Sequence, residues 1–221
     1  MLLLYSFLLK ANFIQDSLSF NNKSDKFKTG FAIGLNTLDF KLKVNSSDEY
    51  NYILKKGEKS IGFEIGLFFD YKLNNSFHLH STPGFVLGTR QLRFLPKGNG
   101  DSFSSNIESS FINFPLDVIF FINHKNSFFL LIGSSFKYDF SATRKLNIEN
   151  NVFFKLKKVD YNLEFGAGID FFIKGITITT KVKTSIGFIN VCDDDRIDEI
   201  FFSTGLESLN SRVYSISFCF R

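Results

Sequence analysis

The sequence of 221 residues lacks much of what several common classes of protein need. It contains no tryptophan, one methionine and three prolines, and its only cysteines are Cys192 and Cys219. Two cysteines are too few for a disulfide-stabilised scaffold, and they offer no spacing typical of a zinc site. The three histidines, His78, His80 and His124, leave few candidates for a catalytic base or a metal ligand. The sequence therefore predicts no bound metal and no cofactor.

Long apolar runs and clustered charge are also absent. The longest wholly apolar stretches, such as residues 118–122 and 128–132, are short, whereas a transmembrane helix needs about 20 apolar residues. This excludes a helical membrane protein. The 26 basic and 22 acidic residues are spread along the chain, without the stripe of Lys and Arg that nucleic-acid binding requires. Nucleic acid is therefore not expected as a partner.

The composition is dominated instead by aromatic residues. There are 31 phenylalanines and 7 tyrosines, and aromatic and β-branched residues favour strands over helices. The length suits one domain or one closed barrel. The sequence thus indicates an all-β protein.

Alternation of apolar and polar residues is the strongest pattern, and it is clearest over residues 61–73. Every odd position there is Ile, Phe, Leu or Tyr, while most even positions are Gly, Glu, Asp or Lys. Side chains alternate across a strand, so this pattern predicts a strand with one apolar and one polar face. Thirteen residues is long compared with the roughly 5 to 6 usual in soluble proteins.

The same period divides the chain into eight predicted strands with connections of alternating length. The strands cover residues 28–44, 60–73, 77–94, 109–121, 127–141, 158–173, 176–190 and 209–221. The long connections are residues 45–59, 95–108, 142–157 and 191–208, and the others are short. This organisation predicts an all-β fold: an eight-stranded antiparallel transmembrane β-barrel over residues 28–221, with short periplasmic turns, long extracellular loops and both termini periplasmic.

Residues 1–27 form an N-terminal lead before the barrel. Residues 1–9 are apolar and followed by Lys10, which resembles a degenerate signal segment. An additional strand or a disordered lead is the alternative interpretation.

A soluble eight-stranded barrel or sandwich would turn the same apolar residues inward. Strand length argues against it, because most of the segments reach the roughly 9 to 11 residues that a tilted transmembrane strand needs. In a bilayer the sheet must close on itself, since lipid cannot satisfy an open edge. The sequence therefore favours a barrel with its apolar face toward lipid and its polar face toward the lumen.

The polar face carries six acids and six bases, which we interpret as a structural charge network rather than a pore. An eight-stranded barrel is filled by side chains, and unpaired charges inside it would be costly. We expect Arg90 and Lys181 or Lys183 to lie within salt-bridge reach of Glu64, Glu164 or Asp170. The full set of predicted lumen charges is Glu64, Asp70, Lys72, Arg90, Asp117, Lys137, Asp139, Glu164, Asp170, Lys181, Lys183 and Arg221.

Aromatic residues near the strand ends predict two interfacial girdles. The girdle near the short turns comprises Tyr71, Phe77, Phe120, Phe128 and Phe171. The girdle near the long loops comprises Phe40, Tyr138, Phe140, Tyr161, Phe188 and Tyr214.

No set of residues predicts catalysis. His78 and His80 fall on the lumen face of the third strand, and the simplest interpretation of His80 is a hydrogen-bonded lumen residue that lies near Asp70 or Glu64. The acidic run of residues 193–195, with Asp198 and Glu199, lacks the spacing of a calcium loop and suits a solvated loop. Cys192 and Cys219 are expected at opposite ends of the barrel, too far apart for a disulfide.

Several segments, in order, resemble the PorT family of outer-membrane barrels of Bacteroidota, which is associated with the type IX secretion system. They are residues 28–39, 61–90, 107–115, 136–142, 160–172 and 209–218. The most specific pieces are PGFVLGTR at residues 83–90, ESSFINFP at residues 108–115 and LNSR at residues 209–212.

The resemblance implies a non-enzymatic role in protein export and linked gliding, with outer-membrane lipid and other envelope proteins as partners and no small-molecule substrate. Two alternatives stay open. One is a barrel enzyme that acts on outer-membrane lipid, and the other is a general structural or adhesive barrel.

Overall fold

The computed structural model describes residues 26–44, 52–98, 101–123, 128–143, 154–173, 175–196 and 205–221. Nearly all of the N-terminal lead therefore lies outside the described residues, as do His124, Asp198, Glu199 and the side chains of residues 193–195. Twelve strands are present in the described ranges: β1 (Phe27–Val44), β2 (Tyr52–Lys56), β3 (Ile61–Lys72), β4 (Phe77–Ser81), β5 (Gly84–Pro96), β6 (Phe103–Asn123), β7 (Phe128–Asp139), β8 (Phe154–Leu156), β9 (Val159–Ile173), β10 (Ile176–Gly187), β11 (Cys192–Arg196) and β12 (Leu206–Phe220).

Antiparallel pairing closes the sheet into a barrel. β1 pairs with β12 on one side and with β3 on the other, and β4 and β5 together occupy one position between β3 and β6. The ring therefore runs β1, β3, β4 with β5, β6, β7, β9, β10 and β12. The predicted eight-stranded antiparallel barrel is confirmed. Within the described ranges the only helix is a 3₁₀ turn at Ser141–Thr143, and no helix there is long and apolar enough to cross a membrane.

The connections distinguish the two ends of the barrel, which we call the turn end and the loop end. At the turn end, the connection between β3 and β4 is tightened by Asn74, whose Oδ1 accepts hydrogen bonds from the backbone of Ser76 and Phe77, each at 2.8 Å. Residue Gly175, at the turn between β9 and β10, has a φ of 87°, which glycine adopts without steric cost. The connections at the loop end are all longer.

The outward face forms a continuous apolar band. On β3, for example, Phe63, Ile65 and Leu67 alternate with inward residues and are 56 to 64% exposed. Such exposure is unfavourable in water but suits lipid. The predicted girdle residues also point outward, with one exception. The assignment of Phe40 to the loop-end girdle is wrong, because its side chain is buried inside the barrel.

Several strands extend beyond the apolar band at the loop end. β6 has 21 residues, or about 70 Å along the strand, and a band of about 25 Å covers only part of it. Its outward residues change from Phe114 and Leu116 in the band to Ser104, Asn106 and Glu108 above it. Residues 103–108, which we predicted as loop, are therefore strand, and β2, β8 and β11 likewise lie in predicted loops.

Above the band, the polarity of the wall is inverted, with polar residues outside and apolar residues inside. Phe40 points inward because it belongs to this region, where Arg90 and not lipid covers its ring. The apolar interior, which we call the loop-end core, is formed by Phe40, Leu54, Leu92, Phe94, Ile107, Ala142, Leu156, Val191, Cys192, Leu206 and Leu209. It closes the lumen on the loop side.

The wall is interrupted where β4 passes into β5, at Thr82 and Pro83. Pro83 has no N–H to donate, although its carbonyl accepts from Leu67 N–H at 3.0 Å. On β6, Asn113 pairs with Gly84 and Asp117 with His80, so Pro115 lies opposite the break. A proline within a strand is tolerated where the ladder is already broken, which explains why β6 can contain one.

The two cysteines lie at opposite ends, as predicted. Cys192 belongs to the loop-end core, whereas Cys219 packs with Ala32 and Phe68 near the turn end. The distance between these clusters excludes a disulfide.

The loop-end core should contribute strongly to stability, which Phe94→Ala would test. Phe94 is fully buried and stacks on Phe103 with ring centroids 4.5 Å apart. Its truncation should lower the free energy of unfolding by about 3 to 5 kcal/mol. Thermal unfolding in detergent, followed by circular dichroism, measures the effect. Phe85→Ala, at a lipid-facing position, is the matched control, and an equal loss in both variants would contradict a closed core.

Candidate functional site

The lumen holds every charge that the sequence placed on the polar face, and it is the candidate site. The polar side chains form a layer in the lumen, which the loop-end core closes on the loop side and two smaller apolar clusters interrupt toward the turn end. The smaller clusters consist of Ala32, Phe68 and Cys219 and of Ile119, Phe129 and Leu131.

A lysine between two carboxylates occupies the centre of the polar layer. Lys183 Nζ lies 2.5 Å from Glu164 Oε2 and 3.8 Å from Asp117 Oδ2. Glu164 and Asp117 are completely buried. The expected contact between Lys183 and Glu164 is therefore present. The close pairing offsets part of the cost of taking these charges out of water.

Glycine opposite Asp117 makes this arrangement possible. Gly133 is the cross-strand partner of Asp117, and a Cβ at residue 133 would stand 2.2 Å from Asp117 Oδ1. Any other residue there would push the carboxylate out of the central cluster. Lumen glycines thus provide space for charged groups in a narrow barrel, as the sequence pattern indicated.

A second cluster lies nearer the turn end and is centred on two aspartates. Asp70 is 2.8 Å from His78 Nδ1 and 3.6 Å from His80 Nδ1. Arg221 joins Asp70 to Asp170, with its Nη2 at 2.5 Å from Asp170 Oδ2 and its Nη1 at 4.0 Å from Asp70 Oδ2. The interpretation of His80 as a hydrogen-bonded lumen residue near Asp70 is confirmed.

Lys181 has different partners from those expected. Its Nζ donates to His80 Nε2 at 2.8 Å and to Thr82 Oγ1 at 2.9 Å, rather than to Glu64, Glu164 or Asp170. The reason is the register: Thr179, not Lys181, pairs with Asp170 and donates to it at 2.6 Å.

Arg90 also departs from the expectation. Its guanidinium lies 4.6 Å from the centroid of the Phe40 ring, and the carboxylates that act on it are those of Asp39, Asp139 and Asp160. Arg90 pairs with Ile107 on β6, ten residues nearer the loop end than Asp117 of the central cluster, so it cannot reach Glu64, Glu164 or Asp170.

Lys137 and Asp160 complete the upper part of the polar layer. They are cross-strand partners on β7 and β9. Lys137 Nζ donates to Ser185 Oγ at 2.7 Å, and Asp160 accepts from Ser211. Asp160 was missed in the sequence analysis, although the alternation that places Asn162 and Glu164 inward extends one step further to include it.

The remaining predicted lumen charges occupy the margins of the network. Asp139 accepts from the backbone of Ser141 at 2.8 Å, and Lys72 is half-buried at the turn end. Glu64 is half-buried beside a small cavity.

This cavity is a lumen space of about 30 Å³. Gly66 and Gly84, which face each other across β3 and β5, leave it open, and Glu64, Lys181 and Lys183 line it. Since a water needs roughly 10 to 15 Å³ measured in this way, the space suits about two waters and no larger molecule.

One group resembles a catalytic triad in its connectivity. Thr82 Oγ1 is 3.0 Å from His80 Nε2, and the other ring nitrogen of His80 faces Asp70. A catalytic histidine needs a free lone pair to accept the proton of the nucleophile, but Lys181 donates to that same Nε2. As regards metals, the described residues contain no group of three or more His, Cys, Asp or Glu that could hold an ion.

Comparison with known families decides the class of this closed, lipid-facing barrel. The family model described as outer membrane protein beta-barrel domain matches residues 13–193. The chain belongs to this family of outer-membrane barrels. Membership establishes an integral outer-membrane location, in agreement with the exposed apolar band.

Three solved structures are similar to this chain at low sequence identity. OprG from Pseudomonas aeruginosa is 13% identical, with 88% of this chain and 92% of that chain covered and a TM-score of 0.44. Ail of Yersinia pestis, in complex with the heparin analogue sucrose octasulfate, is 13% identical over 89% and 99% of the two chains, with a TM-score of 0.40. LpxR from Salmonella typhimurium is 9% identical over 90% and 85%, with a TM-score of 0.30. None of the curated proteins matches the chain.

The central cluster predicts unequal effects of removing its members. Lys183→Met would leave two buried carboxylates without a cation and should cost about 3 to 5 kcal/mol in the free energy of unfolding. Glu164→Leu should cost less, because Asp117 still faces Lys183. Thermal unfolding in detergent would rank the variants.

Val182→Met is the matched control, since residue 182 is adjacent on β10 but faces lipid. If Glu164→Leu were as harmful as Lys183→Met, the central lysine would not hold two carboxylates.

Proposed function

We propose that this outer-membrane barrel is a non-enzymatic component of the PorT type that supports protein secretion by the type IX system, and the gliding and cargo export linked to it. It acts through contacts with other envelope proteins rather than by transport through its own lumen.

The observation that carries this proposal is the closed lumen. The central lysine and its two carboxylates fill the middle of the barrel, and apolar clusters lie on both sides of this central cluster. The cavity beside Gly66 and Gly84 has room for about two waters and no larger molecule. A barrel with such an interior offers its outer surface and its two ends to partners.

The resemblance to PorT is supported by where its most specific segments lie. Residues 83–90 and 108–115 form neighbouring stretches of β5 and β6, in which Gly84 pairs with Asn113 and Gly88 with Ser109. Residues 209–212 pair with β1 at Leu42 through Asp39. Two of the three segments therefore form one continuous patch of the wall that includes the break at Pro83, and a shared patch is harder to explain by barrel composition alone.

We further propose that the turn end faces the periplasm and the loop end faces the exterior. Outer-membrane barrels have short periplasmic turns and longer extracellular loops. In this orientation, Arg221 and the start of β1 lie on the periplasmic side, where envelope proteins of a secretion system can reach them.

A lipid-modifying enzyme is the second candidate, and the line of Thr82, His80 and Asp70 is the observation that favours it. Two features weigh against it. The Nε2 atom of His80 is occupied by Lys181, and the adjacent cavity is far smaller than an acyl chain or a headgroup.

A barrel with this interior should not conduct ions. The purified protein, inserted in a planar lipid bilayer, should give no stable channel openings, because the buried ion pairs and apolar clusters leave no continuous aqueous path. Glu164→Leu should also be silent, since leucine fills the space that the glutamate leaves. Stable conductance from the wild type would refute the closed lumen.

Deletion of the gene should stop secretion of type IX cargo while outer-membrane lipid stays unchanged. Cargo in the medium would be measured by quantitative mass spectrometry, and lipid acylation would be measured in the same strains. Complementation with the wild type and with Thr82→Val should both restore secretion, because the proposal gives Thr82 no catalytic role.

The opposite results identify the alternatives. Altered lipid acylation that Thr82→Val fails to correct would establish the enzyme. Normal secretion together with normal lipid would leave a structural or adhesive barrel and refute the role in export.

A further inference from the structure

An unusual cationic group lies on the outer wall of the barrel at the loop-end girdle. Arg212 Nη1 donates to the hydroxyl of Tyr214 at 3.2 Å, and Lys59 Nζ lies 5.5 Å from the centroid of the same tyrosine ring. Two cations are thus gathered around one exposed aromatic side chain.

The carboxylate that could neutralise this pair is engaged elsewhere. Asp39 is the cross-strand partner of Arg212 on β1, but its Oδ2 lies 2.7 Å from Lys56 Nζ. Among the described residues, no carboxylate lies within 4 Å of Arg212 or Lys59, and Arg212 Nε is buried without a hydrogen-bond partner. With Lys41, which is exposed on β1 beside Asp39, the described part of the patch holds four cations and two acids, Asp39 and the exposed Glu58.

The height of the patch places it at the surface of the bilayer. Below Tyr214 on β12, the outward residues are Ile216 and Phe218, and both are exposed apolar side chains. Above it, the outward residues are Arg212 and then Asn210. Arg212 is two residues above the tyrosine, or about 7 Å along the strand, which is where the lipid headgroups begin once the girdle marks the interface.

The apolar floor of the patch continues onto the neighbouring strands. Tyr214 pairs with Thr37 on β1, and Thr37 pairs with Ile61 on β3. Ile61 is 70% exposed, so a lipid chain has an apolar wall to lie against directly below the cations.

We propose that Arg212 and Lys59, held around Tyr214, bind the phosphate of an anionic lipid headgroup in the leaflet at the loop end. In the proposed orientation this is the outer leaflet, so the inference rests on that part of the proposed function, and the ligand is a phosphorylated glycolipid. The guanidinium supplies a planar pair of donors that matches a phosphate, and the lysine adds a mobile point charge.

The neighbouring wall formed by β5 and β6 lacks this combination. At the same height on β5 and β6, the outward residues directly above Leu87 and Ile112 are Thr89, Gln91 and Ser110. They are uncharged, and the outward partner of Thr89 is the acidic Glu108, so the cationic patch does not continue onto β5 and β6.

The test uses the full-length protein in nanodiscs of phosphatidylcholine doped with bisphosphorylated lipid A or with its dephosphorylated form. After extraction into mild detergent, native mass spectrometry counts the lipid A molecules that stay bound. The wild type should retain the phosphorylated form at least tenfold better than the dephosphorylated form. The double variant Arg212→Gln, Lys59→Gln should lose that preference, while its circular dichroism spectrum stays that of a folded barrel.

Lys43→Gln is the matched control. Lys43 is also an exposed cation on the outer wall of the loop end, but Glu207 Oε2 lies 2.7 Å away, and the hydrogen bond and charge of Glu207 raise the pKa of Lys43. Its charge is already paired, so retention of lipid A should be unchanged.

Equal retention of both lipids by the wild type, or unchanged retention by the double variant, would overturn the proposal. Displacement of lipid A by millimolar inorganic phosphate would also overturn it, because it would indicate a site for the free ion. Because binding is measured on purified protein, it fails or succeeds independently of cargo secretion. Labelling of the variant Gly98→Cys in intact cells reports separately whether the loop end faces the exterior.

Discussion

Lipid offers no hydrogen-bond partner to a peptide group, and the pairing of β1 with both β12 and β3 is the response of this chain to that constraint. Closure fixes which face of each strand points inward. It also limits the radius to that of eight strands, so the inward side chains must fill the interior. The charged network, the lumen glycines and the apolar clusters are consequences of this limited volume.

The same strands pass through two solvents, the lipid of the bilayer and the water above it. Inside the bilayer, β6 turns Phe114 outward and Asp117 inward, whereas above the bilayer it turns Glu108 outward and Ile107 inward. The strand itself continues without interruption. Its outward face contacts lipid inside the bilayer and water above it. The upper part of the barrel is therefore built like a soluble β-barrel with an apolar core, and it stands on a membrane barrel with a polar one.

The strands within the bilayer could be predicted from the sequence, because a uniform solvent imposes a uniform alternation on residues 61–73 and their equivalents. Prediction failed where that uniformity ends. Phe40 is an inward residue of β1 and lies in the loop-end core, although an aromatic residue near a strand end suggests a girdle. β2, β8 and β11 are too short, or of too mixed a composition, to show a period. The partners of Arg90 and Lys181 depend on the vertical offset between neighbouring strands, which closure sets and composition does not reveal.

The two prolines at the break in the wall make local opening of the sheet easier at that position. Pro83 and Pro115 withdraw two amide donors at the same height from adjacent strands, next to Gly66 and Gly84, which place no side chains over the gap. Elsewhere an amide can exchange its proton only if a ladder of several hydrogen bonds opens. At the break, the ladder of hydrogen bonds is already short. Backbone amides of β3 and β6 beside the break should therefore exchange with deuterium first, and local separation of the strands would begin there.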